Sequence, residues 1–401
     1  MAVNTATTIT DRLLSGSDFN VFYDFQATKG SVNSNPDWTP FRRGEGIPTT
    51  IKSFTEGANI PTDRQAVKQI EESDEYMGEL SGGTTKQNIA MLVASLAGGT
   101  ETQRTDTGTG YAATASGFTD TGGEFANYVV GDVVFFTGFA DATLNRAYMI
   151  TANADNNTIT TSPAPAATEA AGASVTASSN VTYSGEAETL VMMQQRAPDN
   201  TKAGNTDYQT YYDGYIDTMS VEIPDTGVVT SSMNVKFGEK VAGSAAISGQ
   251  TDNAQMTDPE LSSVSNIKAF YVNNTKQDCS IKSMNIELAN NYQADDGAGC
   301  DKAYSIGQLA VTGAVVVRSP ISAPFVWRDY YRNATNIGSL AVEMSHDSSD
   351  TDQTFIVVDN VKITEHDQPT GSNTTANSEA SYTAQRNDTL GTTIRVYRNW
   401  V

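Results

Sequence analysis

Alternation of apolar and polar residues in two neighbouring segments constrains the fold of this chain more than any other feature. Segments 215–223 and 228–237 flank the turn sequence Pro224-Asp225-Thr226-Gly227. A period of two places alternate side chains on opposite faces of a strand, and such a turn joins two strands into a hairpin. The apolar set, which we expect to face a core, is Met219, Val221, Ile223, Val229, Met233, Val235 and Phe237.

Short β-like segments recur along most of the chain, so the sequence predicts a mainly β protein. They lie at 19–25, 51–55, 67–70, 77–80, 279–288, 308–317, 340–345, 355–363 and 392–398. One helix is predicted at 84–96, where Thr84 or Thr85 can cap the start and Gly98-Gly99 end it. A shorter aromatic helix is predicted at 325–333.

Residues 100–180 differ in character from the rest. Two low-complexity stretches, TETQRTDTGTG and SPAPAATEAAGAS, enclose short β segments at 129–136, 146–151 and 158–161, and 174–177 follows them. We therefore predict a first domain part at 1–99, a small inserted all-β module at 100–180, and a second part at 181–401. On flexible linkers, this module is expected to project outward and to be dispensable for the main fold.

The chain is strongly acidic, with 25 Lys and Arg against 47 Asp and Glu and a net charge of −22. This acidic charge balance disfavours tight binding of nucleic acid. It is also explained by a surface charge that merely keeps the protein soluble. Cys279 and Cys300 are too few for a disulfide framework and indicate reduced thiols in a cytoplasm. No signal peptide or membrane span is expected.

No catalytic, cofactor-binding or metal-binding pattern stands out, which predicts a protein that is not an enzyme. His346 and His366 are the two histidines, and both are expected in exposed acidic loops. Segment 347–352 is acidic, but it lacks the glycine and the distal glutamate of an EF-hand loop, which favours a solvated turn. Phosphate-binding glycine motifs are missing from the sequence.

Several longer stretches carry a resemblance to one family. They are GIPTTIKSFTEGANIPTDRQAVKQI with the following TTKQNIAMLVASL, DGYIDTMSVEIPDTGVVTSSMNVKFGEK, VSNIKAFYVNNTKQDCSIKSMNIELANN, and VTGAVVVRSPISAPFVWRDYYRNATNIGSLAVEM. Over most of its length the chain resembles the tail-tube proteins of long-tailed, siphophage-like bacteriophages. The inserted VVGDVVFFTGFADATLNRAYMITANADNN resembles a small β module found within some tube subunits.

The resemblance implies a β-sandwich or partial barrel with a flanking helix, whose copies form hexameric rings that stack into a tube. The tube would be a passive conduit for DNA ejection in the virion, assembled in the host cytoplasm. Its partners would be further copies of itself, the tape-measure, tail-terminator and distal tail proteins, and viral DNA that passes without specific binding. The expected lumen-facing residues are Thr218, Ser220, Glu222, Thr230, Ser232 and Asn234. The expected contacts between rings are Val32, Asp37, Trp38, Arg42, Arg43, Glu56, Asn59, Asp63 and Arg64.

Two other classes stay open at the level of sequence. One is a phage surface adhesin or carbohydrate-binding β protein, with the inserted module as its binding domain. The other is a β-fold hydrolase, for which the sequence offers no recognisable pair of nucleophile and base.

Overall fold

The computed structural model describes residues 19–56, 69–96, 101–185, 189–198, 206–243, 245–277, 281–295, 303–318, 326–347, 352–367 and 377–400. Of these described residues, 58 % lie in strands and 7 % in helices, so the fold is mainly β, which confirms the predicted fold class. In the described part of the chain, the α-helices are α1 (Lys86–Ser95) and α2 (Val326–Arg332).

The strands are, in chain order, β1 Asn20–Phe25, β2 Asp37–Pro40, β3 Pro48–Glu56, β4 Gln69–Gly83, β5 Thr102–Gly108, β6 Ala112–Ala113, β7 Gly117–Thr119, β8 Val133–Thr137, β9 Ala147–Asp155, β10 Thr158–Ser162, β11 Val175–Tyr183, β12 Val191–Pro198, β13 Thr206–Ile223, β14 Thr230–Gly243, β15 Thr251–Asp252, β16 Ile267–Val272, β17 Thr275–Gln277, β18 Ile281–Ala289, β19 Gln293–Asp295, β20 Ala303–Ser305, β21 Ala310–Arg318, β22 Ile337–Ser345, β23 Gln353–Asp367, β24 Asn377–Ala384 and β25 Ile394–Arg398.

The predicted hairpin of β13 and β14 lies at the centre of an antiparallel sheet. The strand order in this region is β3-β4-β14-β13-β18-β21-β24, and β24 pairs in turn with the last part of β23. Residues 69–83 form one long strand, where the sequence suggested two separate ones. The additional length follows from the continuous partners that β3 and β14 provide for β4.

Two long strands connect this sheet to a second layer. β13 pairs with β12 through its first half and with β18 through its second half. β23 pairs with β22 and β25 through its first half, and with β24 through its end. One apolar cluster contains side chains from both layers, including Met219, Val235 and Ile286 from the first and Val342 and Ile356 from the second. The two layers therefore share one core.

Helix α1 lies within the predicted range 84–96 and has Thr85 as its N-cap, whereas Gly98 and Gly99, predicted to end it, lie outside the described residues. Asn88 Oδ1 accepts hydrogen bonds from the Thr85 backbone N–H and from Thr85 Oγ1, both at 2.9 Å, which satisfies the start of the helix. At the other end, the buried Asn290 amide donates to the Ser95 and Ile216 carbonyl oxygens, each at 2.8 Å. Asn290 thereby joins the last turn of α1 to β13, where the helix packs.

The inserted segment has a core of its own, built largely from aromatic side chains. The members are Tyr111, Ala113, Phe118, Phe125, Tyr128, Val134, Phe136, Phe139, Leu144, Tyr148, Ile150, Ile159, Val175 and Ala177. The Phe118 and Phe136 rings stack at 4.1 Å between centroids. Strands β6 to β11 and the turns between them supply these residues, so the segment folds around its own apolar centre.

The expectation of flexible linkers around this module is wrong in the described structure. Thr102–Gly108 form β5, which pairs with β11 along its whole length. In the second stretch, the Glu169 carboxylate accepts hydrogen bonds from the backbone N–H groups of Ala140 and Asp141, both at 3.0 Å. A threonine-rich segment can form an edge strand when a partner strand is present, because its backbone N–H and C=O groups then make hydrogen bonds to that partner.

A second apolar cluster joins the module to the rest of the chain. Val133, Phe135, Ala147 and Met149 of the module pack with Val181, Ala269, Tyr271, Ala341, Phe355, Val357 and Tyr397. Strand β11 also continues past the module and pairs with β25 through residues 180–183. The module is thus attached by a shared strand and a buried interface.

Candidate functional site

Short polar side chains cover the outer face of the sheet formed by β4, β14, β13, β18, β21 and β24. On the hairpin, Met219 and Val221 face inward and are only 2 % and 1 % exposed. Their neighbours Ser220 and Glu222 face the other way, towards solvent. The alternation in the sequence therefore predicted the two faces of this hairpin correctly.

The six residues predicted to line a lumen all lie on this outer face, and none of them is buried. The register places Thr218 opposite Asn234, Ser220 opposite Ser232, and Glu222 opposite Thr230. The two serine Oγ atoms lie 2.8 Å apart. The structure brings the six side chains into one patch, and their position in a lumen stays a prediction.

The same face continues over strands whose pairing the sequence does not reveal. Glu287 on β18 lies opposite Ser220, and Thr312 on β21 lies opposite Glu287. On the other side of the hairpin, Glu79 on β4 lies opposite Asn234. Alternation in KSMNIEL indicates that Glu287 shares a face with Asn285, but the sequence does not say which strand lies beside it.

Exposed carboxylates give this face a negative character. Glu79, Glu222, Glu287 and Glu379 are all exposed on it. The ammonium group of Lys236 lies 2.7 Å from the Asp217 carboxylate and donates to the Tyr292 carbonyl at 3.2 Å. The Lys236 charge is thereby neutralised locally, so a phosphate group approaching the middle of this face would meet mainly carboxylates and small hydroxyl groups.

Two margins of this sheet have no strand partner among the described residues. β3 pairs with β4 on one side only, and on β3 the apolar Ile51 is 46 % exposed. At the other margin, residues 362–367 of β23 pair only with β24. Unpaired backbone N–H and C=O groups along such margins are available for pairing with another chain.

The residues predicted to contact a neighbouring ring are only partly brought together. Val32 and Asp37 are accessible, whereas Trp38 is 0 % exposed, so the prediction that the Trp38 side chain contacts another subunit is wrong. Trp38 lies on β2, which is not among the β segments predicted from the sequence, and its side chain is buried. Glu56 ends β3. Asn59, Asp63 and Arg64 lie outside the described residues.

Arg42 and Arg43 make hydrogen bonds within the chain. Arg42 donates to the Asp258 carbonyl oxygen and lies 3.8 Å from the Glu260 carboxylate. Arg43 donates to the Phe19 carbonyl at 2.7 Å. Both line an open groove of about 770 Å³ beside Phe41. Their contacts hold the 40–46 loop in place, and their predicted role between rings stays a prediction.

His346 is buried, with 3 % of its surface exposed, so its predicted place in an exposed loop is wrong. Its Nε2 lies 2.9 Å from Thr354 Oγ1, and Trp400 Nε1 donates to the same oxygen at 2.9 Å. Burial, reinforced by the positive charge of Lys86, lowers the pKa of His346 to about 4. A neutral imidazole fits this position because its unprotonated nitrogen can accept a hydrogen bond from the Thr354 hydroxyl group.

His366 is half-buried on β23 and lies in a strand, where a loop was predicted. Burial lowers the pKa of His366, and the positive charges of Arg328 and Arg332 act in the same direction. Within the described part of the chain, His, Cys, Asp and Glu side chains form no group of three or more suited to a metal ion. Across the same residues, no helix is long and apolar enough to cross a membrane.

No protein-family model matches this chain, and no curated protein matches it.

Proposed function

We propose that this chain is a structural subunit that assembles with copies of itself into stacked rings, as in the tail tube of a long-tailed bacteriophage. The observation that carries the proposal is the polar, carboxylate-bearing outer face of a sheet whose two marginal strands each have a partner on one side only among the described residues. A hexameric ring follows from the resemblance of the sequence to tube subunits.

Association through the two margins explains how such a sheet stays soluble. β3 at one margin and the end of β23 at the other leave backbone groups unpaired, which favours pairing with a neighbouring copy. A ring closed by cyclic symmetry removes both margins at once, because every copy supplies one of each. The exposed Ile51 on β3 would be covered by the same contact.

The proposed mechanism is a passive passage of DNA along the outer sheet face. Ser220, Ser232 and Thr218 present small hydroxyl groups, and Glu222 and Glu287 present negative charges. Carboxylates repel the phosphate backbone and offer no site at which it could be retained. In a virion the tube would meet a tape-measure protein inside, and terminator and distal tail proteins at its ends.

Negative-stain electron microscopy of the purified protein tests this proposal. We expect hollow rings or tubes, and sedimentation should show a species several times the mass of the 42.8 kDa chain. A monodisperse monomer at high concentration that binds glycans on an array would favour the adhesin class. Turnover of a hydrolase substrate panel would favour an enzyme, and either result would refute the proposal.

A further inference from the structure

An exposed valine lies on a turn beside the connection between β13 and β14. Val264 of the 262–266 turn is 73 % exposed, although exposed turns favour polar residues such as serine, asparagine and aspartate. Val228, which is also exposed, forms a β-bridge with Ser262 of the same turn. We call Val228 and Val264 the valine knob, and its apolar surface suits contact with another apolar surface.

Hydrogen bonds hold the turn that carries Val264. Asn266 Oδ1 accepts from the Ser262 N–H, and Asn266 Nδ2 donates to the Ser345 carbonyl oxygen of β22, both at 2.8 Å. The Asn266 N–H also donates to the Ser262 carbonyl oxygen at 2.9 Å. Valine is itself stiff about χ1. The valine knob therefore loses little conformational entropy when a contact covers it, which favours association.

An apolar pocket of about 260 Å³ lies at the other end of the same hairpin. Val32, Tyr208, Val241 and Ile247 line it, and Val241 is 51 % exposed. Tyr208 lies near the start of β13 and Val241 near the end of β14. None of the described residues that line this cavity is charged. We call it the apolar pocket, and it suits an uncharged apolar side chain.

The loops that form the apolar pocket are held in place within the single chain. Asn33 Nδ2 donates to Asp24 Oδ2 at 2.9 Å and to the Phe25 carbonyl oxygen at 3.0 Å. The Ile247 N–H donates to Gln250 Oε1 at 3.1 Å. The pocket is thus formed before any side chain enters it, which lowers the entropic cost of binding there.

The valine knob and the apolar pocket cannot meet within one chain. A strand rises by about 3.3 Å per residue, which places Val228 and Val241 about 40 Å apart along the hairpin. Each surface can therefore cover the other only when the two belong to different copies.

The charge of the chain also favours a contact between these two surfaces. The 262–266 turn reads SSVSN, so it is as uncharged as the lining of the apolar pocket, in a chain whose net charge is −22. Copies with this net charge repel each other, and a contact between them is favoured where neither surface carries a charge. A second copy therefore fits the apolar pocket, because its valine knob is apolar, uncharged and held in place.

We infer that the valine knob of one copy binds in the apolar pocket of the next copy, in a head-to-tail contact. The inference rests on the proposed tube function and deepens it, because it identifies surfaces through which one ring would contact the next. Different surfaces at opposite ends of a hairpin make a heterologous contact, which extends into a filament when the rotation does not close. Burial of apolar surface drives this contact, so added salt should not weaken it.

Crosslinking tests the contact on the full chain, in a background where Cys279 and Cys300 are replaced by serine. Val264→Cys together with Val241→Cys should give a ladder of covalent multimers with a short bismaleimide, because each copy is then joined to two neighbours. Val264→Cys with Val130→Cys is the control, since Val130 is an exposed valine that belongs to neither surface. We expect no ladder from this control.

Substitution by aspartate tests the same contact without a crosslinker. Val264→Asp and Val241→Asp should each associate roughly tenfold or more weakly than the unmodified chain, because a charge replaces a buried valine in the contact. Val130→Asp makes the same change of charge at an exposed valine and should assemble normally. Thermal melting first establishes that each variant is folded. Sedimentation and tube length in electron micrographs, at low and high NaCl, then measure assembly.

Three results would overturn the inference and leave the proposed function standing. They are normal tubes from folded Val264→Asp, crosslinking of the cysteine pair that yields no ladder, or dimers from Val264→Cys alone, which would show that two knobs meet each other. An unmodified chain that stays monomeric would refute the proposed function as well. Single rings from Val264→Asp and tubes from Val130→Asp would support both proposals.

Discussion

Arg395 and Asp359 form a buried, two-pronged ion pair. Arg395 Nε donates to Asp359 Oδ2 and Nη2 donates to Oδ1, each at 2.7 Å, with both residues 1 % exposed. Arg395 Nη1 also reaches Asp132 of the inserted module at 3.2 Å. Burial alone would lower the pKa of Arg395, but Tyr397 and the two carboxylates raise it above its usual value. This guanidinium therefore ties β23, β25 and the module together as a permanent cation.

We predict that Arg395→Ala strongly destabilises the protein. Asp359 would keep a buried carboxylate without its partner, which typically costs about 3–5 kcal/mol of unfolding free energy. Urea denaturation monitored by fluorescence measures the change. Arg386→Ala removes an exposed arginine and should change the stability by less than about 0.5 kcal/mol. Equal effects of the two substitutions would contradict the role assigned to Arg395.

Deleting residues 102–180 should impair folding of the remaining chain, contrary to the expectation from sequence that the module is dispensable. The deletion uncovers Tyr271, Phe355 and Tyr397 in the shared apolar cluster. It also removes Arg146, whose guanidinium lies 2.9 Å from the fully buried Glu343. Soluble yield and the binding of a hydrophobic dye measure the outcome. A soluble deletion variant that melts at the same temperature would show that the junction contributes little.

Acidification should destabilise the chain through His346. Its pKa is about 4 in the folded protein and about 6.5 when unfolded, so the unfolded state binds a proton more readily between these values. Stability from this group is complete above about pH 6.5 and is lost as pH falls towards 4, by about 3 kcal/mol. Melting temperature against pH measures the loss, and His346→Gln should flatten the curve in that window. An unchanged slope in His346→Gln would assign the loss to other groups.

Met219→Asp should disrupt the fold, whereas Ser220→Asp should not. Met219 is 2 % exposed in the core, and an aspartate there would bury a charge with no partner. We expect a loss of at least about 3 kcal/mol or failure to fold, compared with less than about 1 kcal/mol at Ser220 on the outer face. Chemical denaturation of both variants checks the difference. The reverse order would mean that the faces of β13 are exchanged.

Reversing charge on the outer sheet face should make assembled protein retain DNA. Glu222→Lys with Glu287→Lys places two ammonium groups where phosphates would pass, and each phosphate contact strengthens binding in a salt-dependent way. Fluorescence anisotropy of labelled duplex DNA, measured between 50 and 200 mM NaCl, should show binding that weakens as salt rises. Asp155→Lys with Asp388→Lys is the matched control at exposed sites off this face. Equal binding by both pairs would remove the outer face from the proposed path of DNA.

Local pattern alone predicted the β13–β14 hairpin, because alternation with a period of two and a turn between strands depend only on neighbouring residues. The same alternation assigned Thr218, Ser220 and Glu222 to the polar face of the hairpin. Thr85 was one of the two residues expected to cap the start of α1. Partner strands could not be predicted in this way. The places of Glu79 and Glu287 beside the hairpin depend on pairings between β4, β14, β13 and β18 that are remote in the chain.

A mainly β, strongly acidic chain with an amphipathic hairpin could be predicted from composition and residue spacing, because neither depends on which segments meet in the fold. The burial of Trp38 and His346 and the strand at 102–108 became visible in the folded chain alone. Only the tertiary structure decided that Arg395 joins the module to the main sheet. Side-chain burial and strand pairing depend on which distant segments come together, and the packing of the whole core determines this.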